Sequence, residues 1–436
     1  MFDMRSSLAS TLVLAGALAL AAPSCQQLAA DSAPAGPGAA TNSPGANPKV
    51  PATMNSSAAW KEIDRLLDEQ KLQEAVDRLG PLVESARAAG DETNWAKALV
   101  RQSQVRTALG GLETAVEELK AQLWPSGSVA RAAVELYYAH ALLDYLSGYD
   151  WEIRQRERVV SVAPDSQLDL KAWTAEQIAD EAERSFLSVW ERREALGSVA
   201  VGDFPYLAAN DYPKGIRSSL RDALTYLFVD RLLADSSFWS ASEANDGWQL
   251  ELENLLADAP QPPAELDGRG QAAAAHPTHP VHPVHPLLRA AFVLADLERW
   301  HRHRGELGAE LEARLARQRL LLGHRTSESD QAVLRADLER RLPHFRADPW
   351  WAVGMAELAR EVDLNRSDAE RRIRARALAL AGEKAFPGSR GAQLCRELRA
   401  EIEAPDFALQ LMAVDGAGRR SLEVSHRNLP KLHLRA

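Results

Sequence analysis

The chain has 436 residues, 46 % of them apolar, and a formal net charge of −10 spread through mixed-sign segments. That length and apolar content suffice for two or three domains or one long repeat array, and the lack of a basic stripe argues against nucleic acid as a partner. Ala, Leu, Glu and Arg dominate, as in helix-rich proteins, because these side chains lose little rotamer freedom in a helix.

In chain order, residues 1–24 read as an export signal. Arg5 precedes a short apolar run, Leu8–Ala22, and small residues follow; such a run is too short for a comfortable membrane span. Ala21-Ala22-Pro23-Ser24-Cys25 resembles a bacterial lipobox. Cys25 is therefore the expected lipidation site, and Gln26 in place of Asp points to the outer membrane of the envelope. A lipobox usually carries Leu where Ala22 stands, and ordinary cleavage after Ala19-Leu20-Ala21, with Cys25 incidental, is the competing reading. Residues 25–58 hold mainly Ala, Pro, Gly, Ser and Asn and are expected to be a disordered tether. Cys395 is the one other cysteine, so no intrachain disulfide is expected despite the oxidising compartment.

A helical repeat region is expected over 59–257. Trp60, Ile63, Leu66 and Leu67 share one helical face, followed by Leu72, Ala75, Val76 and Leu79, and Gly80-Pro81 kinks or ends that stretch. Trp95 opens the next helix 35 residues beyond Trp60, Gly110-Gly111 breaks it, and Leu112, Val116, Leu119 and Leu123 form another stripe. A period in the mid-thirties suggests tetratricopeptide-like helical pairs, that is, an all-α superhelix (a helical-pair solenoid). Further helices are predicted over 129–148, 172–196, 215–234 and 244–257. A Pro/His-rich linker spans 258–286, and helices resume over 287–404. After Pro405 the period becomes two: Phe407, Leu409 and Leu411, then Leu422, Val424 and His426, then Leu432 and Leu434, three strands with hairpin punctuation. The third is cut short at Ala436, leaving 405–436 as the expected start of an incomplete β-domain.

The segments FPGSRGAQLCRELRAEIEAPDFALQLMAV and LEVSHRNLPKLHLRA resemble the junction, in large bacterial alpha-2-macroglobulin-family proteins, between a long N-terminal helical region and the first macroglobulin-like β-sandwich. YYAHALLDYLSGYDWEIRQRERV (137–159) and NDYPKGIRSSLRDALTYLFVDRLL (210–233) are similar to stretches of the same helical region. The resemblance implies a protease inhibitor whose full-length form closes around its attacker after bait cleavage. The Cys-x-x-Gln thioester of some members is missing: Cys25 has Leu28 at the glutamine position and Cys395 has Leu398. Cys395 lies on an apolar helical stripe and reads as a small buried hydrophobe.

No nucleophile-and-base motif is present, so no catalytic residue and no cofactor is expected. His276, His279, His282 and His285 recur every third residue with Pro after each. They are weak metal candidates, because polyproline II would space them about 9 Å apart, too far for two imidazoles to share one zinc. A stiff spacer is the alternative. His301 and His303 are expected on the surface, and Glu181, Glu183 and Glu191 with Arg184, Arg192 and Arg193 on a solvated helix face. Trp350 and Trp351, adjacent on a predicted helix, cannot both face one core and are the expected partner-facing pair. The expected function is spacing and docking within an envelope-anchored inhibitor, binding proteases through the full architecture. The alternative is a stand-alone scaffold lipoprotein that binds other envelope proteins.

Overall fold

A computed structural model describes residues 56–156, 169–239, 241–260, 285–411 and 422–433. Among these residues the chain forms seventeen α-helices and one two-stranded antiparallel sheet. None of the helices is long and apolar enough to cross a membrane. The export signal, Cys25, most of the tether and His276, His279 and His282 lie outside the described residues. Ser56, Ser57 and Ala58, assigned to the tether from sequence, instead begin the first helix. Two compact units emerge, one ending at Leu232 and the other starting at Leu233 apart from the exchanged segment 212–217. Residues 233–257 thus fold with the second unit and not with the first helical region.

The first unit holds α1 (Ser56–Asp68), α2 (Leu72–Ala89), α3 (Glu92–Ala108), α4 (Leu112–Ala121), α5 (Ser128–Gly148), α6 (Asp150–Ile153), α7 (Ala175–Trp190), α8 (Arg193–Leu196) and α9 (Leu220–Phe228). Consecutive helices pack as neighbours from α1 to α5, and α5 packs on α7. The α2–α3 corner follows from local chemistry. Gly90 takes the left-handed conformation, φ +68°, at the C-cap, and the Asp91 carboxylate accepts the Asn94 backbone N–H. Asn94 also donates its side-chain amide to Asp91 at 2.6 Å and accepts the Trp60 indole N–H at 2.7 Å, and Lys97 lies over the Trp60 ring. One carboxylate thereby sets the start of α3 and the seat of α1. Asp91→Ala is expected to cost about 1 kcal/mol, more than Asp68→Ala at the exposed end of α1, as read by thermal unfolding; equal costs would refute the capping role.

Pro81 does not end its helix. It sits inside α2, whose buried face continues through Leu82, Val83 and Ala86; burial of that stripe outweighs the missing N–H. Leu123 falls beyond α4 and is exposed, so the predicted stripe stops at Leu119. Residues 244–257 form two short helices separated by a 3-10 turn, not one helix.

The second unit comprises α10 (Ala241–Asp246), α11 (Leu252–Leu256), α12 (Pro286–Arg304), α13 (Leu307–His324), α14 (Glu328–Arg341), α15 (Trp351–Leu364), α16 (Arg371–Ala385), α17 (Arg390–Glu403) and the strands β1 (Asp406–Leu411) and β2 (Leu422–Arg427). Its apolar core gathers Leu311, Leu338, Trp350, Val362, Cys395 and Leu398 among others. In the hairpin, Phe407 pairs with His426, Leu409 with Val424 and Leu411 with Leu422. Asn428, at φ +51°, donates its amide to the carbonyls of Ile402 and Ala404. It therefore satisfies acceptors that the end of α17 leaves open and fastens the hairpin there. Residues 428–433 are not strand, so the third predicted strand is absent as far as the described residues reach.

Candidate functional site

Helix α13 is buried on almost every side although it carries Glu310, Glu312, Arg314 and Arg317. Such groups are tolerated in a core only when paired and hydrogen-bonded. The helical spacing supplies the partners. Arg314 and Arg317, three apart, face α12, where Glu298 accepts from both at 3.1 and 2.9 Å. Arg302, one turn beyond Glu298, reaches Glu310 at 2.8 Å. From α14, Asp337 accepts from Arg340 and Arg341 on the next turn and from Gln318. Burial draws the Arg317 guanidinium down to about 10, against the pull of Glu298.

Glu298, Arg302, Glu310, Arg314, Arg340 and Arg341 line a cavity of about 380 Å³, together with Asp258, His344 and Phe345. Asp258 follows α11 and is half-exposed, yet three guanidiniums converge on its carboxylate: Arg341 at 2.7 Å, Arg314 at 2.8 Å and Arg302 at 3.9 Å. Burial alone would raise this carboxyl, but Arg341 and Arg314 hold it below its ordinary value. Planar guanidiniums from three helices form a fork suited to oxyanions. The sequence signal was weak: an arginine-rich helix with an unremarkable apolar stripe, in which only the i, i+3 and i, i+4 charge spacing hinted at pairing.

Glu312 turns to the opposite side of α13. It accepts from Arg217 at 2.6 Å, Arg319 at 2.8 Å and the Trp350 indole N–H at 2.9 Å, while Arg217 and Arg390 lie over the Tyr212 ring. Trp350 and Trp351 are consequently both buried, which corrects the expectation of a partner-facing pair. Trp350 is the N-cap of α15 and Trp351 its first residue; the bond to Glu312 holds Trp350 inside, and both rings belong to the apolar core of the second unit.

Glu357 on α15 lies 3.9 Å from Arg319 and near Glu312, Glu361 and Arg360; burial pushes its carboxyl up to about 7 from an ordinary 4.5. A raised carboxyl favours folding fully below its unfolded value, and that contribution fades as pH climbs through about 7. Glu357→Gln is accordingly expected to match the wild type in urea unfolding at pH 4 and exceed it at pH 8. A variant weakened at pH 8 would contradict this.

His285 is the N-cap of α12. Its Nδ1 accepts the Leu287 N–H at 3.0 Å and its Nε2 bonds the Glu243 carbonyl at 2.8 Å. Both ring nitrogens are committed, so a metal at His285 would have to break a cap. Among the described residues no cluster of three or more His, Cys, Asp or Glu side chains could hold a metal. His301 is buried, not superficial, against Glu306 at 2.8 Å. Glu181 and Glu183 are likewise buried, contrary to the solvated-face expectation. Glu181 accepts from Lys120 at 2.7 Å and from the Tyr138 hydroxyl; on α5, Glu135 binds Arg131 and Arg192. Cys395 is fully buried as predicted, its thiol against the Ala352 carbonyl and pushed up to about 12 by burial. A thiol so placed is inert.

No known protein family, no curated protein and no solved structure matches the chain.

Proposed function

We propose that this chain is the N-terminal helical region of an envelope-anchored, alpha-2-macroglobulin-like endopeptidase inhibitor, acting by spacing and docking and not by chemistry. The observation that supports this best is the helix-to-hairpin junction. Asn428 fastens β1–β2 to the end of α17, while Phe407, Leu409 and Leu422 stand exposed on the hairpin. Two strands are marginal by themselves and gain stability when an apolar face is covered; further β-structure of a macroglobulin-like domain would cover this one. Neighbour-to-neighbour packing of α1 through α5 supports tetratricopeptide-like pairs, whose stacking builds extended binding surfaces. Cys25 would carry the lipid that holds the whole at the outer membrane.

Trapping makes a specific demand on membranes that carry the native product. An added endopeptidase should keep cleaving a small peptide substrate while losing activity on a folded protein, since an enclosed protease admits only small molecules. Unchanged activity on the folded protein would count against inhibition and favour the scaffold lipoprotein.

A further inference from the structure

We propose that the cavity between α12, α13 and α14 is a binding site for an oxyanion, phosphate or carboxylate, and that the Asp258 carboxylate is its built-in, displaceable occupant. Three features separate Asp258 from an ordinary structural ion pair. Arg302, Arg314 and Arg341 come from three different helices and meet only at this carboxylate. Asp258 itself belongs to none of them; it is 51 % exposed at the side chain, whereas Glu298, at 2 %, and Asp337, at 5 %, are sealed in. Finally, the carboxylate opens on free space of about 380 Å³, within the range of small-ligand sites.

The charge balance favours an incoming anion. Arg302, Arg314, Arg340 and Arg341 line the cavity against Asp258, Glu298 and Glu310, so cations already lead, and they lead further once Asp258 swings outward. Glu298 and Asp337 keep Arg314 and Arg341 in place when it does. The guanidiniums therefore need no rearrangement to exchange one oxyanion for another. Arg340, at the rim, is 67 % exposed and held by Asp337, and among the lining residues Phe345 offers the one apolar wall. The ligand is accordingly compact, with at least one oxyanion group and few apolar atoms. A free phosphate-type ion and an acidic peptide side chain satisfy the same chemistry.

Calorimetric titration of the full chain at constant ionic strength, with inorganic phosphate in one arm and a blocked Asp-Asp dipeptide in the other, tests the site and tells its sources apart. Asp258→Asn removes the competing charge at constant shape. If Asp258 occupies the site nine-tenths of the time, affinity should rise about tenfold, and Arg341→Gln should abolish binding. Tighter binding of either probe in Asp258→Asn supports the proposal, and the arm that responds names the source. Binding that is equal in Asp258→Asn and Arg341→Gln, or no binding of either probe to wild type and Asp258→Asn, overturns it. Should Asp258→Asn fail to fold, Arg302→Gln at the partly exposed rim serves instead. It is expected to weaken phosphate or peptide binding to the otherwise native protein, and unchanged affinity there overturns the proposal equally.

Discussion

Replacing Gly391 with alanine is expected to destabilise the second unit by about 3 kcal/mol, although the change adds one methyl group to a good helix position. Gly391, the second residue of α17, has its Cα against the start of α15, and a Cβ there would strike the Ala352 carbonyl carbon and the Val353 nitrogen. Those are backbone atoms, so no side-chain rotation relieves the clash, and α15 and α17 must separate. Gly382 on α16 makes the same kind of approach, but its added Cβ would meet the Cys395 Sγ at 2.6 Å, a side-chain atom and not backbone, so its cost should be the smaller of the two. Gly323, near the end of α13, has nothing within 4 Å of its virtual Cβ. Gly323→Ala should therefore stabilise by about 0.5 kcal/mol through lower unfolded-state entropy. Urea unfolding followed by tryptophan fluorescence ranks the three, and equal midpoints for Gly391→Ala and Gly323→Ala would contradict the close approach.

The second large effect is electrostatic. Glu298→Gln preserves volume but leaves the Arg317 guanidinium, which has no exposed side-chain surface, facing a neutral amide where it had a carboxylate at 2.9 Å. Breaking a buried pair from one side costs about 3–5 kcal/mol, because the remaining charge is neither solvated nor compensated. Arg314 suffers less, since Asp258 and Asp337 also face it. Replacing both partners, as in Glu298→Leu with Arg317→Leu, should recover most of the loss. If the single variant unfolds with the wild type, the α12–α13 ion network does not hold that interface.

The sequence was most legible where apolar spacing alone decides the structure. Ile178, Ala182, Phe186 and Trp190 recur every four residues and all four are buried on α7; Leu394, Leu398 and Ile402 mark α17 just as plainly, with Leu398 and Ile402 buried. The alternation around Phe407–Leu411 and Leu422–His426 likewise became the paired strands. What stayed hidden was the fate of polar residues. Glu181, His301 and Arg317 look like surface chemistry in a linear reading, but each finds a partner that comes from another helix or from beyond its own helix's end. Trp350 was misplaced because its bond to Glu312, 38 residues upstream, is a tertiary fact. Pro81 misled for the opposite reason: a local rule lost to the burial of a continuous stripe. The cavity around Asp258 draws on α12, α13, α14 and the end of α11, and no single window of sequence contains it.

The most direct test of the central reading is an immunoblot of native membrane and soluble fractions with an antibody against the helical region. A membrane-bound band several times heavier than the 47.8 kDa of this chain is expected if these helices and their hairpin head a larger inhibitor. A single band close to the mass of the chain would contradict that reading and leave a free-standing scaffold as the better description.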